Sequence, residues 1–205
     1  PVDAFLLDRI EILKGPASLM YGEGALGGAV NLVSKSPVSQ LNLDSLLSYG
    51  SFGQYRFGVG VSVPLRSNLF ARVDVSQSGS DGYVKTANQK LSAAAGSVRW
   101  LPTSNVSLKA TGTYTYDKTA PQYYATPFID GQIDPRTREA NYNMADAFAK
   151  SHNRWLQFEG DALVGGGWRV HDQFFVSTHT LDWRNFEGYT YNAATRTVDV
   201  SSYFL

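Results

Sequence analysis

Three features of the sequence could support chemistry, and the first is a glycine-rich run. Residues 22–27, Gly-Glu-Gly-Ala-Leu-Gly, fit the pattern of dinucleotide-binding turns. That fingerprint requires a strand before the glycines and a helix after them. Here Gly15 and Pro16 predict a short helix through Tyr21 before the run, and alternation predicts a strand from Ala29 to Lys35 after it. The glycines are therefore interpreted as a loop that permits positive φ angles and close backbone approach.

The other two features are the histidines and a pair of carboxylates. His171 and His179 share one face of a predicted strand, but eight residues at about 3.3 Å each separate them by roughly 26 Å, too far to share a metal ion. Glu159 and Asp161 share a face and could form the acid and base of a glycosidase. A polar sheet face also predicts such carboxylates, and we favour that interpretation over catalysis. Since the sequence also lacks a nucleophile elbow, an HExxH motif and a P-loop, we expect no enzyme, catalytic residue, metal ligand or cofactor.

Composition excludes several further classes. The 205 residues contain 18 basic and 18 acidic side chains, so there is no basic field for nucleic acid. The absence of cysteine excludes disulfides and thiol catalysis. No run of 18 apolar residues predicts a transmembrane helix. The chain begins without the features of a signal peptide, so we expect any targeting segment to lie upstream.

The elements that must position these residues are strands, because side-chain character alternates with a period of two after Pro37. We predict about seven strands, of which 105–117 is the clearest. Four tested segments sort apolar from polar residues by parity: 54–63, 68–77, 105–117 and 154–164. Their length of about ten residues suits a tilted membrane strand better than a sandwich strand.

The connections between these strands support a membrane β-barrel. Short turns at 64–68, 101–105 and 164–167 alternate with long loops at 78–89, 118–152 and after 184, the asymmetry of outer-membrane barrels. Parity places Arg72 and Lys109 on the polar face, away from lipid. The aromatics form two predicted girdles, with Phe70, Trp100 and Trp168 near the turns and Tyr114, Tyr116 and Trp183 near the loops. Asp172, on an apolar face, predicts a bulge, and the small residues on both faces of 90–100 have no explanation from the sequence.

The most specific signal is residues 8–37, DRIEILKGPASLMYGEGALGGAVNLVSKSP. This segment closely resembles the end of the plug domain of TonB-dependent outer-membrane receptors, especially siderophore receptors of the ferrichrome and pyoverdine type. Two later segments, 141–146 (NYNMAD) and 183–189 (WRNFEGY), resemble the same branch. The resemblance spans essentially the whole chain.

The resemblance implies an all-β membrane protein of the bacterial outer membrane. Residues 1–37 would form the C-terminal part of the plug domain, and residues 38–205 the first roughly seven strands of a 22-stranded antiparallel transmembrane β-barrel. Such a receptor binds a ferric siderophore outside the cell and transports it into the periplasm. Its partners would be TonB with ExbB and ExbD, contacted through a segment outside this sequence, and outer-membrane lipid. Receptors for haem, cobalamin or an oligosaccharide, a passive porin and a soluble all-β binding module stay as alternatives.

Two groups of site residues follow from this resemblance. Arg9, Glu11 and Lys14 lie on the predicted plug strand and would contact charges of the barrel wall. Ligand-binding candidates are aromatic residues at the outer ends of strands or in the long loops: Tyr123 and Tyr124 first, then Tyr116 and Trp183, with Tyr191 weaker. Iron would arrive wrapped in its chelator, so no protein ligands to metal are expected.

Overall fold

The structure, a computed structural model, consists of β-strands and three single-turn 3-10 segments. It describes residues 2–15, 27–120, 128–129, 131–133, 135–144, 146–185, 188–192, 194–195 and 197–201. The strands are β1 (Leu7–Lys14), β2 (Gly28–Ser34), β3 (Asn42–Tyr49), β4 (Tyr55–Arg66), β5 (Leu69–Ser80), β6 (Gln89–Thr103), β7 (Val106–Thr119), β8 (Phe128–Ile129), β9 (Gln132–Ile133), β10 (Phe148–Val164), β11 (Trp168–Arg184), β12 (Gly188–Asn192) and β13 (Thr197–Ser201). The 3-10 segments are Ala4–Leu6, Pro135–Thr137 and Gly165–Gly167.

Seven strands form one antiparallel sheet in the order β11-β10-β7-β6-β5-β4-β3. β1 and β2 form a separate antiparallel hairpin, in agreement with the two strands predicted before Pro37. The predicted helix at 16–21 and nearly all of the glycine-rich run lie outside the described residues. No helix in the described ranges is long and apolar enough to cross a membrane.

Connections alternate between the two ends of the sheet as the sequence predicts. Residues 67–68, 104–105 and 165–167 form the short turns, and Gly166 and Gly167 have φ angles of 80° and 81°, a region that favours glycine. The strands are longer than expected, because β10 and β11 each have 17 residues and extend well beyond the predicted ten. The long connections also contain structure that the sequence analysis missed, namely the small antiparallel pairs β8-β9 and β12-β13.

The two faces of the sheet are inverted relative to a water-soluble protein. Over β5 and β7 the polar face carries Arg72, Asp74 and Thr111, and each of these side chains is buried. The apolar face carries Val73 and Val75, whose side chains are 53% and 43% exposed. A soluble sheet buries its apolar face, so this sheet excludes the sandwich arrangement for these strands.

Register corrects two predictions about side-chain placement. Phe70 is only 5% exposed and alternates with Leu69 onto the polar face, so it does not belong to a girdle with Trp100. Trp183 pairs with Ala149, two positions from the buried Ser151 on the same face, and it too lies on the polar face. Parity within each strand, rather than nearness to a turn or loop, decides on which face an aromatic ring lies.

The predicted bulge at Asp172 is also wrong. β10 and β11 pair without a break in register from Phe148 with Arg184 to Val164 with Trp168, and Asp172 lies opposite Gly160. Its carboxylate therefore lies on the apolar face, beside a glycine that leaves room around it.

Candidate functional site

The amino-terminal segment is residues 1–37, of which the structure describes 2–15 and 27–37. It lies on the polar face of the sheet, where Phe5 and Leu6 are packed against the strands. Both side chains are buried, at 8% and 4% exposure, and they pack with Ala93, Leu46 and Ala95. A Cβ atom at position 58 would come within 2.8 Å of the Phe5 ring, so Gly58 provides the space that the ring occupies. The sequence analysis did not explain the small residues of β6. On the polar face two of them, Ala93 and Ala95, pack against Phe5 and Leu6.

Asp3 forms the first polar anchor, two positions before Phe5. Its Oδ1 accepts hydrogen bonds from the Phe5 backbone N–H at 2.8 Å and from Arg56 Nη2 at 2.6 Å, and its Oδ2 accepts one from Ser76 Oγ at 2.9 Å. Burial alone would raise the pKa of Asp3, but the hydrogen bonds from Phe5, Arg56 and Ser76 outweigh burial and lower it. The carboxylate is therefore held in its charged form, 1% exposed, between the segment and β4 and β5.

Lys35 forms the second anchor at the other end of the segment. Its ammonium lies 3.4 Å from Asp44 Oδ2 and 3.9 Å from Asp74 Oδ1. The Arg72 guanidinium hydrogen-bonds both carboxylates, with Nη2 at 2.7 Å from Asp74 Oδ1. Lys35 Nζ also lies 4.0 Å from the centroid of the Phe5 ring, so the two anchors meet.

Residues 36–38 continue this attachment up to β3. Lys109 Nζ donates a hydrogen bond to Ser36 Oγ at 3.2 Å and pairs with Glu159 Oε1 at 2.9 Å. Pro37 is fully buried, and the Val38 N–H donates to Ser62 Oγ at 2.8 Å. The polar-face positions predicted for Arg72 and Lys109 are confirmed.

A cavity of about 640 Å³ lies between the hairpin and the far strands of the sheet. The hairpin contributes Arg9 and Asn31 to its lining, and the sheet contributes mostly polar side chains: Lys109, Thr113, Thr115, Asn153, Trp155, Gln157, Glu159, His171 and Gln173. Polar groups on both sides leave room for water between the hairpin and β10 and β11.

The predicted contacts of Arg9, Glu11 and Lys14 with the wall are not formed by the strands of this chain. Arg9 pairs instead with Asp8 at 2.8 Å and with Glu11 at 2.7 Å on its own strand. Hydrogen bonds from Asn31 first and then Arg9 lower the pKa of Glu11. No described residue of the sheet lies within ion-pair distance of Arg9, Glu11 or Lys14.

The ligand-binding candidates fall in different places. Tyr123 and Tyr124 lie outside the described residues. Tyr116 lies on the apolar face, where its ring centroid is 4.8 Å from that of His152. Trp183 lies on the polar face near the loop end of β11, 38% exposed. The structure therefore does not bring Tyr116 and Trp183 together.

The histidines and carboxylates are dispersed among local partners. His171 Nδ1 lies 3.1 Å from Asp161, His179 Nδ1 lies 2.6 Å from the Asn153 side chain, and Glu159 pairs with Lys109. Within the described ranges no three His, Asp or Glu residues are arranged to hold a metal ion.

Sequence reasoning missed the residues that anchor the segment. The sequence does contain one indication of the role of Asp3. Aspartate is a common N-cap residue, and the Asp3 side chain caps the 3-10 segment Ala4–Leu6. For Lys35 and Ser36 the indication is weaker: both belong to the motif that ends at Pro37. Their partners on β3, β5 and β7 follow from folding and not from sequence spacing.

A sheet that exposes its apolar face and carries a folded segment on its polar face has the arrangement expected of a membrane β-sheet protein. Comparison with known proteins agrees. Residues 1–29 match the family described as TonB-dependent Receptor Plug Domain.

Relatives and solved structures are of the same kind. The chain is 35% identical over 108 residues to the metal-pseudopaline receptor of Pseudomonas aeruginosa, covering 52% of this chain and 15% of that protein. It is 40% identical over 63 residues to the ferripyoverdine receptor of the same species, covering 31% and 8%. A structure of the pyoverdine outer-membrane receptor of P. aeruginosa bound to pyoverdine aligns with a TM-score of 0.82 at 22% identity, covering 91% of this chain and 28% of that one.

The resemblance predicted from residues 8–37 is thereby confirmed: the chain is similar to TonB-dependent siderophore receptors, and its location is the bacterial outer membrane. The chain spans less than a quarter of the length of the two relatives. At 22% identity the structural match shows the fold, which is predominantly β.

Proposed function

We propose that the protein containing this chain is a TonB-dependent outer-membrane receptor that binds a ferric siderophore outside the cell and transports it into the periplasm. One observation carries the proposal: the segment that matches the plug family is seated on the polar face of a sheet whose apolar face is exposed. A porin has no folded segment with that sequence signature, and a soluble module does not leave an apolar sheet face uncovered.

The proposed architecture is a 22-stranded barrel that encloses a plug, with residues 1–37 in the plug and residues 38–205 in the first strands of the wall. Two features support it. Neighbouring strands follow chain order in an antiparallel meander, and β3 and β11 have an unpaired edge within the described ranges. Unpaired backbone groups are costly in a bilayer, so the sheet is expected to continue with further strands until it closes.

The anchors found here suggest how transport is gated. Asp3, Lys35 and Ser36 tie both ends of the described plug segment to β3, β4, β5 and β7. Among the described residues, no hydrogen bond or ion pair joins the hairpin to β10 or β11 across the cavity. We infer that energy supplied through TonB, ExbB and ExbD moves the plug on the cavity side, while the end of the plug that continues into β3 stays attached.

The proposed cargo is a metal chelate, with a ferric siderophore first. Names of the relatives support this class, since one is a ferripyoverdine receptor and another a metal-pseudopaline receptor. Haem, cobalamin and an oligosaccharide stay as alternative cargoes of the same kind of receptor. The proposal includes no catalytic step, because the relatives are named as receptors.

Site assignments within the proposal are those of the sequence analysis, except for Tyr116. Tyr123 and Tyr124, supported by Trp183, would contact the ligand at the outer end. The polar-face position of Trp183 supports its role, whereas Tyr116 lies on the opposite face from a ligand in the lumen. Arg9, Glu11 and Lys14 would contact wall strands outside this chain.

The test uses the full-length polypeptide in a strain that lacks its other siderophore receptors. Uptake of isotope-labelled ferric siderophores should require the receptor and should stop when tonB is deleted. Tryptophan fluorescence of the purified receptor should be quenched by the transported chelate at submicromolar concentrations. Uptake that persists without TonB, or a folded polypeptide that stays soluble without detergent, would contradict the proposal.

A further inference from the structure

Two polar stretches of the chain meet at the loop end of the sheet. Asn143 Nδ2 donates a hydrogen bond to Asn185 Oδ1 at 2.9 Å, and these two residues are 42 positions apart. Close by in the chain, Arg184 Nη1 lies 2.7 Å from Asp146 Oδ2. The four residues Asn143, Asp146, Arg184 and Asn185 are here called the clasp, because they join the connection before β10 to the end of β11.

Asparagine suits the connection because its side-chain amide carries both an acceptor and a donor. Asn141 Oδ1 accepts from the Asn143 backbone N–H at 3.0 Å, while Asn141 Nδ2 donates to Thr86 Oγ1 at 3.1 Å. Asn143 Oδ1 accepts from the Met144 backbone N–H at 2.8 Å, while its Nδ2 makes the bond to Asn185. Each amide therefore folds its own backbone into a turn and also holds a neighbouring element.

The segment that contains these amides, residues 139–144 and 146, joins elements that are not neighbours in the sheet. At one end the Lys85 backbone N–H donates to the Glu139 carbonyl oxygen at 2.9 Å, which attaches the segment to the connection between β5 and β6. At the other end the clasp attaches it to β11. Since β7 and β10 lie between β6 and β11 in the sheet, the segment links the loop ends of distant strands.

The two bonds of the clasp differ in burial. Asn185 is buried, at 9% exposure, whereas the side chains of Arg184 and Asp146 are 42% and 58% exposed. A buried amide that loses its partner is more costly than the loss of an ion pair at the surface. The hydrogen bond between Asn143 and Asn185 is therefore the stronger part of the clasp, and the ion pair adds to it.

Aromatic rings flank the clasp on both of its sides. Trp183 directly precedes Arg184, and its side chain lies on the polar face, 38% exposed. Tyr142 directly precedes Asn143, and its ring meets that of Tyr191 edge to face, with the centroids 6.1 Å apart. A contact that fixes Asn143 and Arg184 also fixes the backbone from which Tyr142 and Trp183 project.

We propose that the clasp residues are positioning residues for siderophore binding, which hold Trp183 and the Tyr142–Tyr191 pair in the arrangement that contacts the ferric chelate. The inference rests on the proposed function, which places this end of the sheet outside the cell. The apparent affinity of a ligand falls in proportion to the fraction of receptor in the competent arrangement. Loss of the clasp lowers that fraction, and the energised step that follows binding does not use it.

Uptake of chelates that carry radioactive iron, by cells that express the full-length receptor, separates binding from transport. The probes are ferric enterobactin, ferrioxamine B and ferripyoverdine, and the probe that the wild type transports is used for every variant. Asn185→Ala should raise the half-saturating concentration about tenfold, as expected for a competent fraction of roughly one tenth. The saturated rate per receptor should stay as in the wild type. An unchanged half-saturating concentration, or a fall in the saturated rate alone, would overturn the proposal.

Asn68→Ala is the matched control for a lost hydrogen bond. Asn68 Nδ2 donates to the Leu101 carbonyl oxygen at 3.2 Å and joins the β4–β5 turn to β6, at the opposite end of the sheet. This variant should take up the probe with the half-saturating concentration of the wild type. A rise as large as that of Asn185→Ala would show a general loss of stability and would overturn the positioning role.

Exchange of the ion pair provides a rescue that a general loss of stability would not show. Asp146→Arg brings two guanidinium groups together and should raise the half-saturating concentration by a few fold. Combination with Arg184→Asp restores opposite charges and should return the value to that of the wild type. Because both side chains are exposed, these variants should insert even if Asn185→Ala does not. A single variant without effect, or a double variant without recovery, would count against the clasp.

A pair of spin labels reports on the clasp without any siderophore. This chain contains no cysteine, so Arg138→Cys and Thr180→Cys, in a receptor without other cysteines, place one label near the clasp segment and the other on β11. The distribution of distances between the labels should be narrow in the otherwise unchanged receptor and broad when Asn185→Ala is added. Equal distributions would overturn the proposal. If the wild type transports a probe and only the clasp variants behave as the wild type does, this inference alone fails, whereas a wild type that transports none of the probes contradicts the proposed function as well.

Discussion

The aromatic ring of Phe5 occupies the space above Gly58 that a side chain at position 58 would need. A Cβ atom there would lie 2.8 Å from Cδ2 and 2.9 Å from Cγ of the ring. These atoms belong to the inner edge of a buried ring and cannot swing away as the end of a flexible chain could. The Phe5 ring therefore packs directly against the backbone of β4, which is possible because residue 58 has no side chain.

Gly58→Ala is expected to loosen the amino-terminal segment, because the added methyl group must displace Phe5 from a packed site, at a cost of about 1–3 kcal/mol. The measurement is protease sensitivity of residues 1–37 in the folded receptor, which should increase. Gly96→Ala is the matched control, since a Cβ atom at position 96 meets nothing within 4 Å. Equal protease sensitivity of the two variants would contradict the packing role assigned to Gly58.

Asp3→Asn should weaken the same attachment in a pH-dependent way. The folded-state pKa of Asp3 lies below the ordinary value of 3.8, so its charge contributes stability that is present above that value and is lost as the pH falls through the folded-state pKa. At neutral pH the variant should lose about 1–3 kcal/mol, the cost of depriving buried donors of their acceptor.

The measurement for Asp3 is the thermal midpoint of the receptor between about pH 2 and pH 7, a range that spans the ordinary carboxyl pKa. The difference between wild type and Asp3→Asn should be constant near neutrality and should shrink below the ordinary pKa. Asp8→Asn serves as the control, because Asp8 is an exposed residue of the hairpin. A difference that does not change with pH would show that the charge of Asp3 contributes nothing.

The sequence predicts on which face of the sheet most side chains lie, but it does not predict the contacts between the amino-terminal segment and the sheet. The difference has a physical reason. Alternation of polar and apolar residues is a local pattern, so the sequence around Arg72 and Lys109 is enough to predict that both lie on the polar face. The pairing of Asp3 with Arg56 joins residues 53 positions apart, and it depends on where the segment docks across β4, which periodicity does not encode. The prediction was wrong for Phe70 and Trp183, because nearness to a turn or to a long loop does not determine on which face a side chain lies, whereas parity does.

Arg72→Met should be the most destabilising single change in the polar network. Arg72 and Asp74 are each 4% exposed, and Arg72 also bonds Asp44 on β3. Removal of one partner from a buried pair costs about 3–5 kcal/mol, because the carboxylates are left buried without their cation. The midpoint of denaturant unfolding should fall, whereas Arg66→Met at the exposed end of β4 should change it little. Equal effects would contradict a buried role for the network.

Arg9→Gln tests the proposed contact of the hairpin with strands outside this chain. Within the chain its partners are Asp8 and Glu11, and ion pairs this exposed to solvent contribute little to stability. If Arg9 also reaches the wall, its loss should loosen the plug and increase passive uptake of a bulky antibiotic in a strain without TonB. Permeability equal to that of the wild type would argue that Arg9 serves only the hairpin.

Variants of the aromatic candidates test which of them contact the ligand. A Tyr123→Ala and Tyr124→Ala double variant should reduce ferric siderophore affinity by at least tenfold, since stacking on aromatic rings contributes about 1–3 kcal/mol. Trp183→Phe should weaken binding less, because the ring is kept on the polar face while the indole N–H is lost. Tyr116→Phe is expected to leave affinity unchanged, since that ring lies on the apolar face beside His152. Affinities come from fluorescence quenching by the transported chelate, and an unchanged affinity of the double variant would remove Tyr123 and Tyr124 from the site.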